Sequence, residues 1–88
     1  MDERKLEKTL KALANRRRLT ILRYLKKRGE ASVGEIAGAI NLSFKSTSRH
    51  LAVLTANDIL DKEQKRLNVF YRLAANQKPP TRTTISSL

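Results

Sequence analysis

Between Ala31 and Leu54 the chain reads ASVGEIAGAINLSFKSTSRHLAVL, two helical patterns separated by about three residues. Ser32 followed by Glu35 predicts a capping box, in which each side chain satisfies the other residue's backbone N–H. Val33, Ile36, Ala37 and Ile40 recur at helical spacing and give this short helix one apolar side. Asn41 tolerates the left-handed turn conformation, Leu42 is placed to plug the core, and Ser43 can cap the next helix through its hydroxyl oxygen. Two helices joined this tightly predict a helix-turn-helix.

The second of these helices, SFKSTSRHLAVL, opens with hydroxyls and cations and ends aliphatic. At roughly 100° per residue, Phe44, Thr47, Leu51 and Leu54 share one stripe, while Lys45, Ser46, Arg49 and His50 share the other. Lys45 and Arg49 lie one turn apart, a like-charge pair that costs an isolated helix a few tenths of a kcal/mol. A polyanion would remove that penalty. In a helix-turn-helix the second helix enters the DNA major groove with its early residues at base edges. Arg49 has the fork that pairs with guanine O6 and N7, worth about 1–3 kcal/mol of discrimination. Ser46 and His50 are candidates to read bases or hold phosphates, and Ser43 at the helix N-terminus to bond a phosphate. On this stretch alone, an ordinary amphipathic helix with a solvated basic face fits equally well.

The flanking segments weigh toward the first reading. Leu6, Leu10 and Leu13 make an amphipathic first helix and a candidate dimer surface. Asn15 reads as an N-cap for a second helix from about Arg16 to Arg28, burying Leu19, Ile21, Leu22 and Leu25. Lys26, Lys27 and Arg28 suit the negative end of its dipole, and Gly29 closes it. After the fourth helix, Val69, Tyr71 and Leu73 alternate with Asn68, Phe70 and Arg72, a strand pattern. Ile59 to Gln64 forms the preceding arm, with a tip at Lys65 to Asn68 where Lys65 and Arg66 face a phosphate backbone or a minor groove. The expected fold is mainly α: a winged helix-turn-helix of about four helices and a two-stranded hairpin wing. Residues 1–75 are expected to form this single domain. The stretch NQKPPTRTTISSL, residues 76–88, has two prolines and no periodic stripe, and is expected to be a flexible tail.

Composition narrows the function classes. Nineteen Lys and Arg against eight Asp and Glu give a net charge of +11, so nucleic acid is the first partner to consider. There is no cysteine and one histidine, which leaves nucleophilic and acid–base catalysis without a partnered pair. No enzyme, cofactor or metal site is expected. Aromatics are 5% of the chain, too few for a single-strand stacking platform. No apolar run approaches a membrane span, and the charged start MDERKLEKTL lacks a secretion signal's apolar core. A cytoplasmic protein is expected.

The blocks LKALANRRRLTILRYL, ASVGEIAGAINLSFKSTSRHLAVL and DILDKEQKRLNVFYRL resemble the successive blocks of the ArsR (arsenic-repressor-like) winged-helix transcriptional regulators, from about Leu10 to Leu73. The specific matches are RLTIL, SRHL with the following VL, and the YRL that ends the wing. The resemblance implies a dimeric repressor of a promoter-proximal operator. It places Ser48 and His50 near DNA with Lys45, Ser46 and Arg49 beside them, sets Arg66 at the wing-tip basic position, and marks Arg18 as structural. The chain departs from the family in three places. ASVGEI stands where many members carry a metal-sensing cysteine pair, no histidine follows Leu73, and Asp58 occupies a common glycine position. Two other readings stay open: a protein-interaction module, and a ligand- or metal-responsive switch with a non-cysteine site.

Overall fold

Polar caps set where the helices begin. The structure, a computed structural model, describes residues 2–88. Asp2, Asn15, Ser32 and Ser43 each accept a hydrogen bond from the backbone N–H three residues on, and these bonds open α1 (Glu3–Leu13), α2 (Arg16–Arg28), α3 (Val33–Ile40) and α4 (Phe44–Ala56). The capping box at Ser32 is complete: Glu35 N–H donates to Ser32 Oγ at 3.2 Å, and Ser32 N–H donates to Glu35 Oε1 at 2.9 Å.

Left-handed residues set where α3 and α4 end. Asn41 has φ 56°, and Leu42 N–H reaches back to the Ala37 carbonyl at 3.0 Å. Asp58 repeats the device at φ 57°, with Ile59 N–H on the Leu54 carbonyl at 3.0 Å and Asp58 N–H on Thr55 at 3.0 Å. This six-to-one and five-to-two pairing satisfies carbonyls that a helix end would otherwise leave open. The turn into the wing thus forms with Asp in a conformation that glycine adopts more easily.

The core is a single cluster. Ile21, Leu22 and Leu25 of α2 meet Ile36 of α3, Leu51 and Leu54 of α4, and Ile59 and Leu60 at the start of the wing. Leu19, expected among them, is half-buried. Thr47 lies on the inward stripe of α4 as its spacing predicts and is fully buried. Phe44, assigned to that stripe, is instead 64% exposed. Side chains tilt toward a helix's N-terminus, so the first residue of α4 projects past the edge of the core. The α1 stripe also divides: Leu13 joins the core, whereas Leu10 is 47% exposed and Leu6 half-buried. Leu13 is therefore not part of an outward dimer surface.

The wing has one strand more than expected. β2 (Leu60–Lys65) and β3 (Asn68–Leu73) form the anticipated antiparallel hairpin around Arg66 and Leu67. A third strand, β1 (Glu30–Ser32), pairs with the far edge of β3 in the order β1-β3-β2, with Ala31 opposite Tyr71. Three residues carry no readable alternation, so only the open edge of β3 reveals β1. The C-terminal segment differs from the expected flexible tail as well. Thr81–Ser86 winds into α5, with Thr81 buried and Ile85 and Leu88 packed on the core. Gln77 Nε2 donates to the Ile59 carbonyl at 3.0 Å, and Lys26 Nζ to the Ile85 carbonyl at 3.0 Å. Two apolar residues three apart sufficed where no longer stripe exists.

Asp58→Gly tests the strained helix end. Relief of the left-handed conformation is expected to stabilise the fold by about 0.5–1 kcal/mol, seen as a rise of a few degrees in a thermal melt. A lower melting temperature would mean that the Asp side chain contributes more than its backbone conformation costs.

Candidate nucleic-acid interface

The buried stripe of α4 fixes which side faces out. With Thr47, Leu51 and Leu54 fully buried, Lys45 and Arg49 fall on the exposed face, while Ser46, Ser48 and His50 are half-buried on its flanks. Among the described residues neither Lys45 nor Arg49 has an ion-pair partner; the four pairs lie elsewhere, at Glu7–Lys11, Arg28–Glu35, Glu30–Lys65 and Glu63–Arg72. No carboxylate occurs between Glu35 and Asp58, so nothing on α4 competes for these cations. Ser43 Oγ accepts the Ser46 N–H at 3.1 Å, which leaves its own O–H free to donate. The outward face continues over Ala52 and Val53, two small apolar residues that the sequence reading did not assign.

His50 is tied to the rest of the fold. Arg18 of α2 donates from Nε to the Ala12 carbonyl at 2.6 Å and from Nη2 to the Lys11 carbonyl at 3.1 Å, and its Nη1 lies 3.2 Å from His50 Nδ1. One guanidinium thus joins the end of α1 to the candidate recognition helix. The family resemblance marked Arg18 as structural; its contact with His50, 32 positions along, carried no sequence signal.

The wing places its two cations differently. Lys65 Nζ binds Glu30 of β1 at 2.7 Å and sits 5.4 Å from the Phe70 ring centroid, so part of its charge is already answered. The Glu30 hydrogen bond holds its ammonium above the ordinary lysine range. Arg66 is exposed in the two-residue turn at φ 57°. Beside it Leu67 is 95% exposed and, with Val33, Val69 and Phe44, lines a shallow groove between the wing and the start of α4. Leu67 was not singled out from the sequence, because an apolar residue in a predicted turn has no pattern to join. Among the described residues there is no group of three or more His, Cys, Asp or Glu suited to a metal ion, and no helix long and apolar enough to cross a membrane.

Burial pushes the His50 imidazole below its ordinary range, and the charges of Arg18 and Arg17 push it the same way. The unfolded chain therefore binds a proton at His50 more readily than the folded one. Stability from this site is complete above about pH 6.5 and is lost as pH falls through that value toward the folded-state pKa. Glu35 has a lowered pKa, chiefly through the Ser32 backbone N–H, and so acts in a separate window, below its ordinary 4.5. Thermal melts should show a decline as pH falls below about 6.5 that His50→Gln abolishes.

Comparison with known proteins places this geometry in a family. The profile described as bacterial regulatory protein, arsR family, matches residues 15–62, from the cap of α2 into β2. The transcriptional activator HlyU of Vibrio cholerae is 40% identical over 68 residues, covering 77% of this chain; the chain in turn spans 62% of that relative's length. The structure of reduced HlyU from Vibrio cholerae superimposes with a TM-score of 0.80 at 36% identity, over 96% of this chain and 84% of that one. The homodimeric winged helix-turn-helix DNA-binding domain of Mb0332 from Mycobacterium bovis, described as a possible ArsR-family regulator, gives a TM-score of 0.79 at 28% identity, over 94% and 73%. A three-stranded winged helix whose matched profile spans more than half the sequence is sufficient: the chain belongs to the ArsR family of bacterial regulatory proteins.

Proposed function

We propose that this chain is a sequence-specific regulator of transcription that binds double-stranded DNA, with residues 1–75 as the DNA-binding winged helix and 76–88 as an accessory segment. The observation that carries this reading is the outward face of α4: Lys45 and Arg49 exposed, Ser43, Ser46, Ser48 and His50 around them, and no acidic residue from 36 to 57. α4 lies in the major groove, where Arg49 reads a guanine edge and Ser43 and Lys45 hold phosphates. Arg66, at the tip of the wing, contacts the neighbouring backbone, and Lys65 contributes less because Glu30 holds it. The chain acts without catalysis and in the cytoplasm. Occupation of an operator makes repression the expected effect, although the related HlyU of Vibrio cholerae is named an activator.

The working unit in this proposal is a homodimer. Leu6, Leu10 and Ala14 on the outer side of α1, rimmed by Glu3, Glu7 and Lys11, form an apolar strip that the chain leaves uncovered. A second copy is its occupant, as supported by the homodimeric state of the related Mb0332 domain. A two-fold dimer sets two half-sites roughly one helical turn apart. The second reading, a protein-docking module, rests on the exposed Phe44 and Leu67.

Selection of bound duplexes from a random pool, followed by titration at several salt concentrations, separates these readings. Sequence-preferring binding that survives moderate salt supports the regulator; its absence favours docking. Arg49→Ala should weaken the preferred duplex by roughly 5- to 150-fold and relax the preference at one base, with little effect on unrelated DNA. Arg66→Ala should weaken all duplexes alike and flatten the salt slope by about 0.9, while Lys65→Ala flattens it less. In sedimentation, Leu10→Glu should convert a dimer to a monomer of unchanged helical content; a wild-type monomer at tens of micromolar would remove the dimer.

A further inference from the structure

The contact between Arg18 and His50 has a directional consequence for DNA reading. A guanidinium has five N–H donors and no acceptor. Two of its nitrogens are committed to the Lys11 and Ala12 carbonyls. The other terminal carbonyls of α1 are already satisfied: Leu10 accepts from Ala14 N–H, and Leu13 from Asn15 N–H. Arg18 thus completes the end of α1, and its position is set there rather than by α4. The remaining nitrogen, Nη1, meets His50 Nδ1 at 3.2 Å, and since it can only donate, Nδ1 must accept. An imidazole that accepts at Nδ1 carries its proton on Nε2, on the opposite side of the ring.

We propose that Arg18 is a positioning residue that fixes the His50 ring and its tautomer, so that α4 presents Nε2–H to the duplex as a neutral hydrogen-bond donor. The partner is an acceptor on DNA, either a phosphate oxygen or the N7 or O6 of a purine. The inference rests on the DNA-binding reading above. It also means that the reading helix is registered against α1, the helix whose outer side is assigned to the dimer, through one side chain. The lowered proton affinity of His50 agrees with this geometry: burial, Arg18 and Arg17 all oppose a second ring proton, which would displace the guanidinium.

A double-mutant cycle on the full chain tests the assignment, using the selected duplex and fluorescence anisotropy at one salt concentration. Arg18→Lys keeps the positive charge and loses the fork, so a loss of affinity cannot come from net charge. It should weaken binding by about 3- to 10-fold in the wild-type background and not at all in a His50→Ala background. The same penalty in both backgrounds, or none in either, would overturn the assignment. His50→Gln, which can place its amide N–H near the Nε2 position, should bind more tightly than His50→Asn, whose shorter amide reaches only the Nδ1 position. The reverse order counts against the proposal.

Circular dichroism at the assay temperature establishes that each variant is folded. If Arg18→Lys is not, imidazole ¹⁵N spectra of the wild-type chain at about pH 7.5 decide: a bare Nδ1 with a protonated Nε2 supports the proposal, and a protonated Nδ1 ends it. A wild-type chain that binds no duplex removes the DNA reading itself. A chain that binds, but gives an additive cycle, removes only the role of Arg18.

Discussion

The two leucines that pin α4 to the body of the protein decide most of what this fold can do. Leu51 and Leu54 are fully buried against Ile21, Leu22 and Leu25, and Thr47 extends the same stripe one turn earlier. A helix held along one side over about two turns has no freedom to rotate, so the opposite side is fixed in space without any contact of its own. Burial of an aliphatic side chain contributes about 1.5–3 kcal/mol, whereas the like-charge pair Lys45 and Arg49 costs a few tenths. The stripe therefore holds the helix in an orientation that its charged face alone would not favour.

Charge is distributed with the same economy. Four carboxylates, Glu7, Glu30, Glu35 and Glu63, each pair with a nearby cation on α1, the end of α2 or the wing. Exposed pairs of this kind stabilise a fold by roughly 0–1 kcal/mol, so their main effect is on the potential the surface presents. The cations of α4 keep their full charge toward a polyanion. Lys65 does not, because β1 brings Glu30 within 2.7 Å, and the wing's field is carried by Arg66 at its tip.

Much of the scaffold was legible locally. The capping box at Ser32, the caps at Asn15 and Ser43, the span of α2 and the left-handed residue at Asn41 all follow from interactions within four or five positions, which a linear sequence displays directly. The hairpin was legible because β3 alternates over six residues. β1 and α5 were not: three residues and six residues are too short to establish a period, and each exists because another element offers it an edge or an apolar surface. Phe44 was misplaced for a related reason, since a helical wheel assigns direction but not how far the core extends along the axis.

The sequence by itself determined that two short helices meet at a tight turn, that the second has an apolar and a cationic side, and that the chain as a whole carries a large positive charge. These are properties of spacing and composition. Only the tertiary structure decided which cations stay unpaired, which half of the α1 stripe stays outside, and that Arg18 reaches past its own helix to hold His50. Those outcomes depend on contacts between residues far apart in the chain, whose free energy exists only after packing has brought their helices and strands together.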